Sequence, residues 1–328
     1  MNTLVKAMRR AASALGFGRL MYVLWHAPRA AIARSIRAGG PIEQWNDSRG
    51  RAAMQTAAAN LPPCPAAPAK AVEVCFLTGK KFWYQTACCC WTLRQHANFD
   101  LRPVFIDDGT FDEDLIAESA RVFPGSVVLR QDEIERRLEA CLPEARFPAL
   151  RGQRRSYVHL RKITDAHAGH RGWRLVLDSD MLFFRPPTEL LQWLAAPDRP
   201  VHMMDVHDAY GYPSATLEAL TGHPPPMHLN VGVCGLQSDA LDWDQLESWC
   251  AALLRQHGSS YYLEQALVAM LLSASEPLRL PQKDYLLMPS EAECRAPTAV
   301  LHHYVDQSKR GYFRYGWRRA LGPITTRS

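Results

Sequence analysis

Several features that would define a class of protein at once are missing from this sequence. The 328 residues contain no apolar stretch of about 20 residues, so no membrane-spanning helix is predicted. None of the nine cysteines forms a CxxC pair, which argues against a structural zinc site. There is no internal repeat and no convincing secretory signal. The odd number and irregular spacing of the cysteines favour a reducing compartment, and Cys88, Cys89 and Cys90 are predicted to be small buried hydrophobic residues.

Acidic residues are absent before Glu43, although the net charge of the whole chain is only +5. The basic residues of this segment are Lys6, Arg9, Arg10, Arg19, Arg29, Arg34 and Arg37. A second basic cluster consists of Lys309, Arg310, Arg314, Arg318 and Arg319. Both clusters favour anionic partners such as phosphates or a lipid surface, but they lie in no recognised nucleic-acid-binding motif.

Composition divides the chain into three parts. Residues 1–60 are predicted to form a basic helical extension, which either packs on the main domain or touches an anionic membrane face. Residues 61–70, LPPCPAAPAK, are predicted to be a Pro/Ala connector. Residues 71–328 then form the main domain, with a basic aromatic tail.

Strands and helices alternate at the start of the main domain. Strands are predicted at 71–79, 101–109 and 126–130, and helices at 84–97, 112–123 and 132–142. This alternation predicts an α/β fold with a doubly wound, largely parallel sheet flanked by helices. Further helices are predicted at 156–170, 188–195, 241–256 and 261–273, and further strands at 200–206, 228–236 and 298–306.

Two carboxylates interrupt the most strand-like segment of the chain. The apolar run 175–177 stops at Asp178-Ser179-Asp180, and a second apolar run, 181–184, follows at once. Alternation along an extended chain points Asp178 and Asp180 to the same side. Two unpaired buried carboxylates would cost several kcal/mol or more, so either a basic side chain or a divalent cation is expected between them. Hard oxygen ligands suit Mg²⁺ or Mn²⁺.

The segment VLDSDMLFF resembles the D-x-D segment of nucleotide-sugar-dependent glycosyltransferases of the GT-A fold. Other segments resemble those enzymes in the same order, and the last resembles the late His-containing strand of the retaining, family-8-like members. These segments are CFLTG, HLNVGV, YYLEQALV and LHHYVDQSKRGYFRYGW. The resemblance covers residues 71–319. It implies a GT-A fold and a metal-dependent transfer of a sugar from a nucleoside diphosphate, with UDP-sugar as the expected donor.

The resemblance also implies a metal site. Asp178 and Asp180 would hold Mn²⁺ or Mg²⁺, and a later histidine would complete the ligand set. His303 fits that role better than His302, because the resembling enzymes have a histidine followed by an aromatic residue, here Tyr304. On an alternating strand only one of the two histidines would face the cleft, and the other would be a hydrogen-bonded core or surface residue.

Donor contacts are implied at the carboxyl ends of the strands. The residues concerned are Leu77, Thr78, Gly79, Asp107, Asp108, Lys162, Asp178, Ser179, Gly232 and Lys309. Alternatives remain for several of them. Asp107 and Asp108 could form a plain turn that caps the next helix, Lys162 could pair with Asp165 on a helix surface, and Gly232 could serve packing alone.

Glu264, Gln265 and Asn230 are the predicted catalytic residues. Oxygen atoms of Asn230 or Glu264 would stabilise the developing sugar cation, or Glu264 would act as a general base for the acceptor hydroxyl. The acceptor would be a glycan, a lipid-linked glycan or another hydroxyl compound, and the anomeric configuration would be retained. We expect a cytoplasmic enzyme of polysaccharide biosynthesis, with peripheral contact to the inner membrane face through the N-terminal helices.

Two other classes of protein remain as alternatives. A sugar nucleotidyltransferase would carry a Gly-rich basic loop such as G-x-G-T-R after the first strand, whereas this chain has LTGKKFWYQT, with Lys80 and Lys81. A non-catalytic membrane-surface or scaffold protein with a degenerate transferase fold would not need Asp178 and Asp180, which are both intact.

Overall fold

The computed structural model describes residues 40–322, which fall into two units, 40–53 and 54–322. Helix α1 (Pro41–Ala59) crosses the boundary between them. The described part of the predicted extension, which begins at residue 40, is therefore helical from Pro41 to Ala59. The predictions of a helix and of membrane contact for residues 1–39 lie outside the described part of the chain.

The first half of the main domain alternates strand and helix as predicted. Its elements are β1 (Val72–Thr78), α2 (Trp83–His96), β2 (Leu101–Asp107), α3 (Glu113–Val122), β3 (Val127–Leu129) and α4 (Gln131–Cys141). Helix α3 begins where the sequence provides a cap, since Asp112 Oδ1 accepts a hydrogen bond from the Leu115 amide at 3.1 Å. The predicted bounds agree with the observed ones to within two residues.

The second half contains more elements than the sequence predicts. They are α5 (Pro148–Ser156), α6 (Arg161–His167), β4 (Trp173–Leu177), β5 (Met181–Phe183), α7 (Thr188–Ala195), β6 (Val201–Met204), α8 (Ser214–Thr221), β7 (Leu229–Gln237), α9 (Trp243–His257), α10 (Leu263–Leu272), β8 (Leu278–Arg279), β9 (Tyr285–Leu287), α11 (Glu291–Arg295), β10 (Leu301–His303), α12 (Lys309–Gly311) and α13 (Trp317–Leu321), with a π-helical segment, Tyr312–Gly316, between the last two.

The prediction of one continuous helix over 156–170 is wrong. Helix α5 ends at Ser156, and Tyr157 is extended, with φ −129° and ψ 95°. A 3₁₀ turn over Val158–Leu160 then leads into α6. The interruption turns the chain between two helices at the edge of the candidate site described below.

Seven strands form one sheet in the order β3-β2-β1-β4-β7-β6-β8. Strand β7 alone runs opposite to its two neighbours, β4 and β6, and the other pairs are parallel. The prediction of a mostly parallel, helix-flanked sheet is therefore confirmed. A second sheet of three strands, in the order β5-β10-β9, stands beside it. Strand β5 follows β4 after three residues, so the interrupted strand of the sequence connects the two sheets.

Cys88, Cys89 and Cys90 are buried, which confirms the prediction that they are small buried hydrophobic residues, and all nine cysteines are free thiols.

Two segments that the sequence suggests are peripheral also pack against the main domain. Residues 61–70 lie against the end of α3, where the amides of Cys64 and Ala67 donate to the carbonyls of Val122 and Pro124. In the C-terminal segment 309–321 the ring of Tyr312 is buried and stacks on Tyr304 at 4.6 Å. Among the described helices, none has the length and apolar character that a membrane crossing requires.

Candidate metal and sugar-transfer site

Three potential metal ligands meet where the two sheets join. Asp178 follows β4, Asp180 precedes β5, and His303 ends β10. Strand β10 pairs antiparallel with β5 so that His303 lies opposite Met181. Two backbone hydrogen bonds fix the turn: the Asp178 amide donates to the Gly232 carbonyl at 2.8 Å, and the Tyr304 amide donates to the Asp180 carbonyl at 2.9 Å. Strand register therefore brings the histidine to the two carboxylates.

The ligand atoms of this cluster face one another. His303 Nε2 lies 3.2 Å from Asp180 Oδ1 and 3.6 Å from Asp178 Oδ2, and one atom from each of the three residues fits within 4.8 Å of the others. The remaining carboxylate oxygens contact lysines: Asp178 Oδ1 lies 2.7 Å from Lys162 Nζ, and Asp180 Oδ2 lies 2.6 Å from Lys309 Nζ. Each lysine therefore holds one oxygen of a carboxylate and leaves the other oxygen directed at His303.

Asp180 is ionised in this environment. Burial alone would raise its pKa, but the neighbouring His303 and Lys309 outweigh burial and hold the pKa well below its usual value. The carboxylate is therefore a charged oxygen ligand at neutral pH, which is the form that binds a divalent cation.

The two adjacent histidines point in opposite directions, as alternation along a strand requires. His302 is fully buried away from the carboxylate pair, with Nε2 3.0 Å from Glu293 Oε1 and Nδ1 2.9 Å from the Tyr304 hydroxyl. Burial lowers the pKa of His302, although Glu293 opposes this effect. His302 is thus the hydrogen-bonded core residue of the pair, and His303 is the one at the cluster.

Gly232 leaves the space that the His303 ring occupies. A Cβ atom at this position would lie 2.4 Å from His303 Cε1 and 2.5 Å from His303 Nδ1. Any larger residue would push the ring away from the carboxylates. The same strand carries Asn230, whose Oδ1 accepts a hydrogen bond from the Gly232 amide at 2.9 Å.

Lys162 joins the metal cluster to Glu264. Its buried Nζ lies 2.7 Å from Asp178 Oδ1 and 3.0 Å from Glu264 Oε1, and the two carboxylates raise its pKa despite the opposing effect of burial. The alternative of a surface pair with Asp165 is wrong, because Asp165 is buried and pairs with Arg154 at 2.5 Å. Lys162 is therefore a positioned buried cation beside the candidate metal site.

The pKa of Glu264 is higher than is usual for a glutamate. Burial raises its pKa to about 7, and the charge of Asp178 adds to the rise, while Lys162 opposes it. Glu264 and Gln265 lie in the first turn of helix α10 and are both buried. A carboxyl group with a pKa near neutrality can both hold and release a proton under physiological conditions.

Asp205 is a buried residue of this site that the sequence analysis did not single out. Its Oδ2 accepts hydrogen bonds from Asn230 Nδ2 at 3.0 Å and from Gln265 Nε2 at 3.4 Å, and its Oδ1 accepts from the Val206 amide at 2.7 Å. It orients two of the three predicted catalytic side chains. Asp205 follows strand β6 as Asp178 follows β4, so the same signal, a carboxylate at a strand end, could have identified it.

The predicted donor residues at the ends of β1 and β2 form a separate turn. Thr78 and Asp107 are paired across these parallel strands, and the Asp108 amide donates to the Thr78 carbonyl at 3.0 Å. Asp107 Oδ1 accepts from the amides of Gly109 and Phe111, and Asp108 Oδ1 accepts from Thr110. Gly79 is tightly packed, since a Cβ there would lie 1.9 Å from Asp108 Oδ1. These bonds are those of a closed turn, while Asp112 is the residue that caps the next helix.

Asp178 also lines a cavity. Seven predicted site residues line it: Lys162, Asp178, Asn230, Gly232, Glu264, Gln265 and His303. Leu77, Thr78, Gly79, Asp107, Asp108, Ser179, Asp180 and Lys309 are not among its lining residues. The structure thus brings the predicted catalytic residues together in one cavity, which the turn predicted to hold the nucleotide does not line.

The cavity has further lining residues that sequence reasoning missed. They are Tyr157, His159, Asp205, His207, Ala209, Val231, Tyr261, Tyr262, Leu287, Met288, Val305 and Asp306. Met288 and Asp306 have positive φ angles of 54° and 45°, which non-glycine residues rarely adopt. Such strained residues cluster at functional sites, and here two of them border one cavity.

The chain resembles solved glycosyltransferase structures. One is the bifunctional glycosyltransferase WbbM in its apo form, with 12% sequence identity and a TM-score of 0.50 over 80% of this chain and 51% of that one. Mouse xyloside xylosyltransferase 1 gives 11% identity and a TM-score of 0.49 over 71% of this chain and 97% of that one. The galactosyltransferase LgtC in complex with donor and acceptor sugar analogues gives 14% sequence identity and a TM-score of 0.45 over 74% of this chain and 83% of that one.

These likenesses concern the fold. The match to WbbM confirms the prediction that the chain has a GT-A type fold, the fold of a class of glycosyltransferases. This chain spans about half the length of WbbM. No family model and no curated protein matches the sequence.

Proposed function

We propose that this protein is a metal-dependent glycosyltransferase that moves a sugar from a nucleoside diphosphate, with UDP-sugar as the expected donor, to a hydroxyl group of an acceptor. The observation that carries the proposal is the Asp178, Asp180 and His303 cluster, which borders a cavity lined by Glu264, Asn230 and Asp205 on a GT-A fold. Retention of the anomeric configuration belongs to the proposal through the sequence resemblance.

The three ligands fit a divalent cation. Two carboxylate oxygens and one imidazole nitrogen converge, and their outer oxygens are already held by lysines. This mixed set suits Mn²⁺ better than Mg²⁺, because imidazole is a ligand that transition ions accept more readily. When bound, the cation would neutralise negative charge on the diphosphate leaving group.

Two lysines would also help to neutralise negative charge on the diphosphate leaving group. Lys309 contacts Asp180 from the C-terminal segment, where its side chain is about one third exposed and can approach a phosphate. Lys162 is buried between Asp178 and Glu264, so it serves as a fixed positive charge on the cavity side. Preorganised cations of this kind stabilise developing charge without reorganisation during the reaction.

Glu264 and Asn230 act at the sugar and the acceptor. Asn230 is oriented by Asp205, and its Oδ1 is turned toward the Gly232 amide, so Asp205 and Asn230 shape the wall of the cavity together. Glu264, with a pKa of about 7, can accept the proton of an acceptor hydroxyl in the ionised form that prevails above neutral pH.

The test is turnover of a panel of nucleotide sugars by the purified full chain, scored by nucleoside diphosphate release. Reactions contain Mn²⁺, Mg²⁺ or a chelator. We expect release from one donor that requires the cation and is lost in Asp180→Ala. If no donor is turned over and calorimetry detects no cation-dependent binding of UDP or another nucleoside diphosphate, the proposal fails. Turnover that persists in chelator would refute the metal dependence.

The cellular setting stays a prediction. A role in polysaccharide or lipid-linked glycan assembly at the inner membrane face rests on the basic N-terminal segment of the sequence, residues 1–40. Vesicle co-sedimentation of the full chain with anionic and with neutral lipids would test it.

A further inference from the structure

An aromatic cluster stands at the mouth of the cavity. It consists of Tyr157, His159, Tyr261 and Tyr262, which we call the aromatic rim and which all line the cavity. Consecutive ring centroids lie 5.4, 5.4 and 5.3 Å apart along the series Tyr157, His159, Tyr261, Tyr262. Tyr261 is 69% exposed and Tyr262 is 39% exposed, which is unusual for large hydrophobic side chains in adjacent positions.

Hydrogen bonds and close packing hold the two turns that carry the aromatic rim. The Tyr157 hydroxyl donates to the Tyr261 carbonyl, which ties the turn before α6 to the turn before α10. Gly211 packs against that second turn, since a Cβ there would lie 2.1 Å from Ser260 Oγ, and Ser260 Oγ accepts from the Tyr262 amide at 3.1 Å. The backbone that carries the exposed rings is therefore fixed, which reduces the cost of ordering them when a ligand binds.

The aromatic rim lies beside the predicted catalytic residues and away from the turn at the ends of β1 and β2 in the cavity lining. Tyr261 and Tyr262 directly precede Leu263 and Glu264 at the start of α10. The rim shares the cavity with Glu264 and Asp205, whereas the turn formed by Thr78, Gly79, Asp107 and Asp108 lies outside it. Lys162, Asp178 and Gly232, which are predicted donor contacts, line the same cavity, so a ligand on the rim would lie beside the donor sugar and within reach of Glu264.

Charge in the cavity restricts the ligand further. Among the described residues that line it, Asp178, Asp205, Glu264 and Asp306 supply carboxylates, and Lys162 is already paired with two of them. An acidic sugar would meet these carboxylates at close range. A neutral pyranose fits, because its hydroxyls can donate to carboxylates while its apolar C–H face packs on an aromatic ring.

We propose that the aromatic rim is the acceptor subsite and that it binds an uncharged pyranose, with Tyr261 as its main stacking surface. This inference rests on the proposed function, since it identifies the acceptor side of the same site.

The test combines two measurements on the full chain. Calorimetry first measures UDP binding with Mg²⁺. Saturation-transfer NMR, with the diamagnetic ion Mg²⁺ and UDP present, then measures binding of the methyl glycosides of glucose, galactose and N-acetylglucosamine, and of glucuronic acid as the charged comparison. The proteins are the wild type, Tyr261→Ala, Tyr261→Phe and the control Trp45→Ala, which removes a 57% exposed aromatic side chain that does not line the cavity.

We expect at least one neutral pyranoside to bind. Tyr261→Ala should weaken that binding about three- to tenfold, the size of one aromatic contact, while Tyr261→Phe and Trp45→Ala stay within about twofold of the wild type. UDP affinity should be the same in all four proteins. Binding of no neutral pyranoside, unchanged binding in Tyr261→Ala, or preference for the glucuronide would overturn the inference. Absence of UDP binding in the wild type would instead contradict the proposed function, and the pyranoside result would still decide the role of the rim.

Discussion

Two pairs of aspartates follow β2 and β4, parallel strands that flank β1 in the same sheet, and the structure uses the two pairs differently. Asp107 and Asp108 follow β2, and their carboxylates accept hydrogen bonds from their own turn, at Gly109, Thr110 and Phe111. Asp178 and Asp180 follow β4, and their carboxylates contact Lys162, His303 and Lys309, which lie 16 to 129 residues away. The first pair mainly closes a loop, although Asp107 Oδ2 also lies 3.7 Å from Arg130 Nε, whereas the second pair contacts two lysines and a histidine at 2.6 to 3.2 Å.

The difference lies in the backbone on the C-terminal side of each pair. After Asp108 comes Gly109, with φ +102°, so the turn can bring its own amides back to the carboxylates. After Asp180 the chain enters β5 at once, where the Phe183 amide donates to Thr92 Oγ1 and the Phe184 amide donates to the Val300 carbonyl, so these amides do not turn back to the carboxylates. Carboxylates that their own backbone does not satisfy need cations, and this requirement is what makes the second pair a candidate metal site.

The comparison is tested most strongly by removing one charge from the second pair. Asp180→Asn should lower donor turnover about a thousandfold or more, because a cation that neutralises the leaving group supplies several kcal/mol. Steady-state nucleoside diphosphate release with saturating Mn²⁺ measures the effect. The matched control is Asp107→Asn, which keeps the oxygen that accepts from Gly109 and Phe111 and should stay within a fewfold of the wild type. Equal losses of donor turnover in Asp180→Asn and Asp107→Asn would contradict the difference between the two aspartate pairs.

Glu264 provides the second test. Glu264→Gln should lower turnover about a hundredfold if this residue is the general base. The pH dependence has a defined sign: with a pKa of about 7, Glu264 is protonated below neutrality and ionised above it, so the wild-type rate should rise with pH through about 7 and then level off. A flat profile between pH 5.5 and 8.5, or a Glu264→Gln profile that keeps the same rise, would remove Glu264 from that role.

Gly232→Ala tests whether His303 must lie where it does. The added Cβ would meet the His303 ring at 2.4 Å and displace it from the carboxylates. We expect Mn²⁺ affinity to fall about ten- to a hundredfold, the size of effects seen when a metal ligand loses its orientation. The control is Gly172→Ala, a glycine with φ +78° where a Cβ meets nothing within 4 Å, so any loss there reports backbone strain alone. Similar Mn²⁺ affinities in the two variants would contradict the packing argument.

The smallest effect is expected in the first pair. Asp107→Ala leaves the amides of Gly109 and Phe111 without their acceptor, and it should lower the free energy of unfolding by about 1–2 kcal/mol. Denaturant titration measures this change. Cation affinity should not change, because Asp107 does not contact the Asp178, Asp180 and His303 cluster. A loss of Mn²⁺ binding without loss of stability would assign this pair a ligand-binding role after all.

Local sequence signals were enough for the first half of the fold and for part of the site. Short apolar segments that alternate between strand and helix patterns predict β1 to α4, because these signals act over a few residues. The interruption of a strand at Asp178 and Asp180 indicates a basic side chain or a divalent cation for the same reason, and the structure places Lys162 and Lys309 on the two carboxylates. His303 was found by resemblance, and its position depends on the pairing of β10 with β5.

Residues whose roles depend on tertiary contacts were missed. Asp205 matters because Asn230 and Gln265 converge on it from 25 and 60 residues away. The aromatic rim joins Tyr157 to Tyr261 across 104 residues, and no periodicity links the two positions. The buried pairing of Asp165 with Arg154, instead of Lys162, likewise depends on the unpredicted helix α5.

The central claim is that Asp178, Asp180 and His303 hold a divalent cation, and Mn²⁺ binding measured by electron paramagnetic resonance tests it most directly. The titration is made with and without UDP on the wild type, Asp180→Asn and Asp107→Asn. The account predicts one bound Mn²⁺ per wild-type chain in the presence of UDP, the same binding in Asp107→Asn, and its loss in Asp180→Asn. Equal Mn²⁺ binding by all three proteins, or none by the wild type, would contradict it.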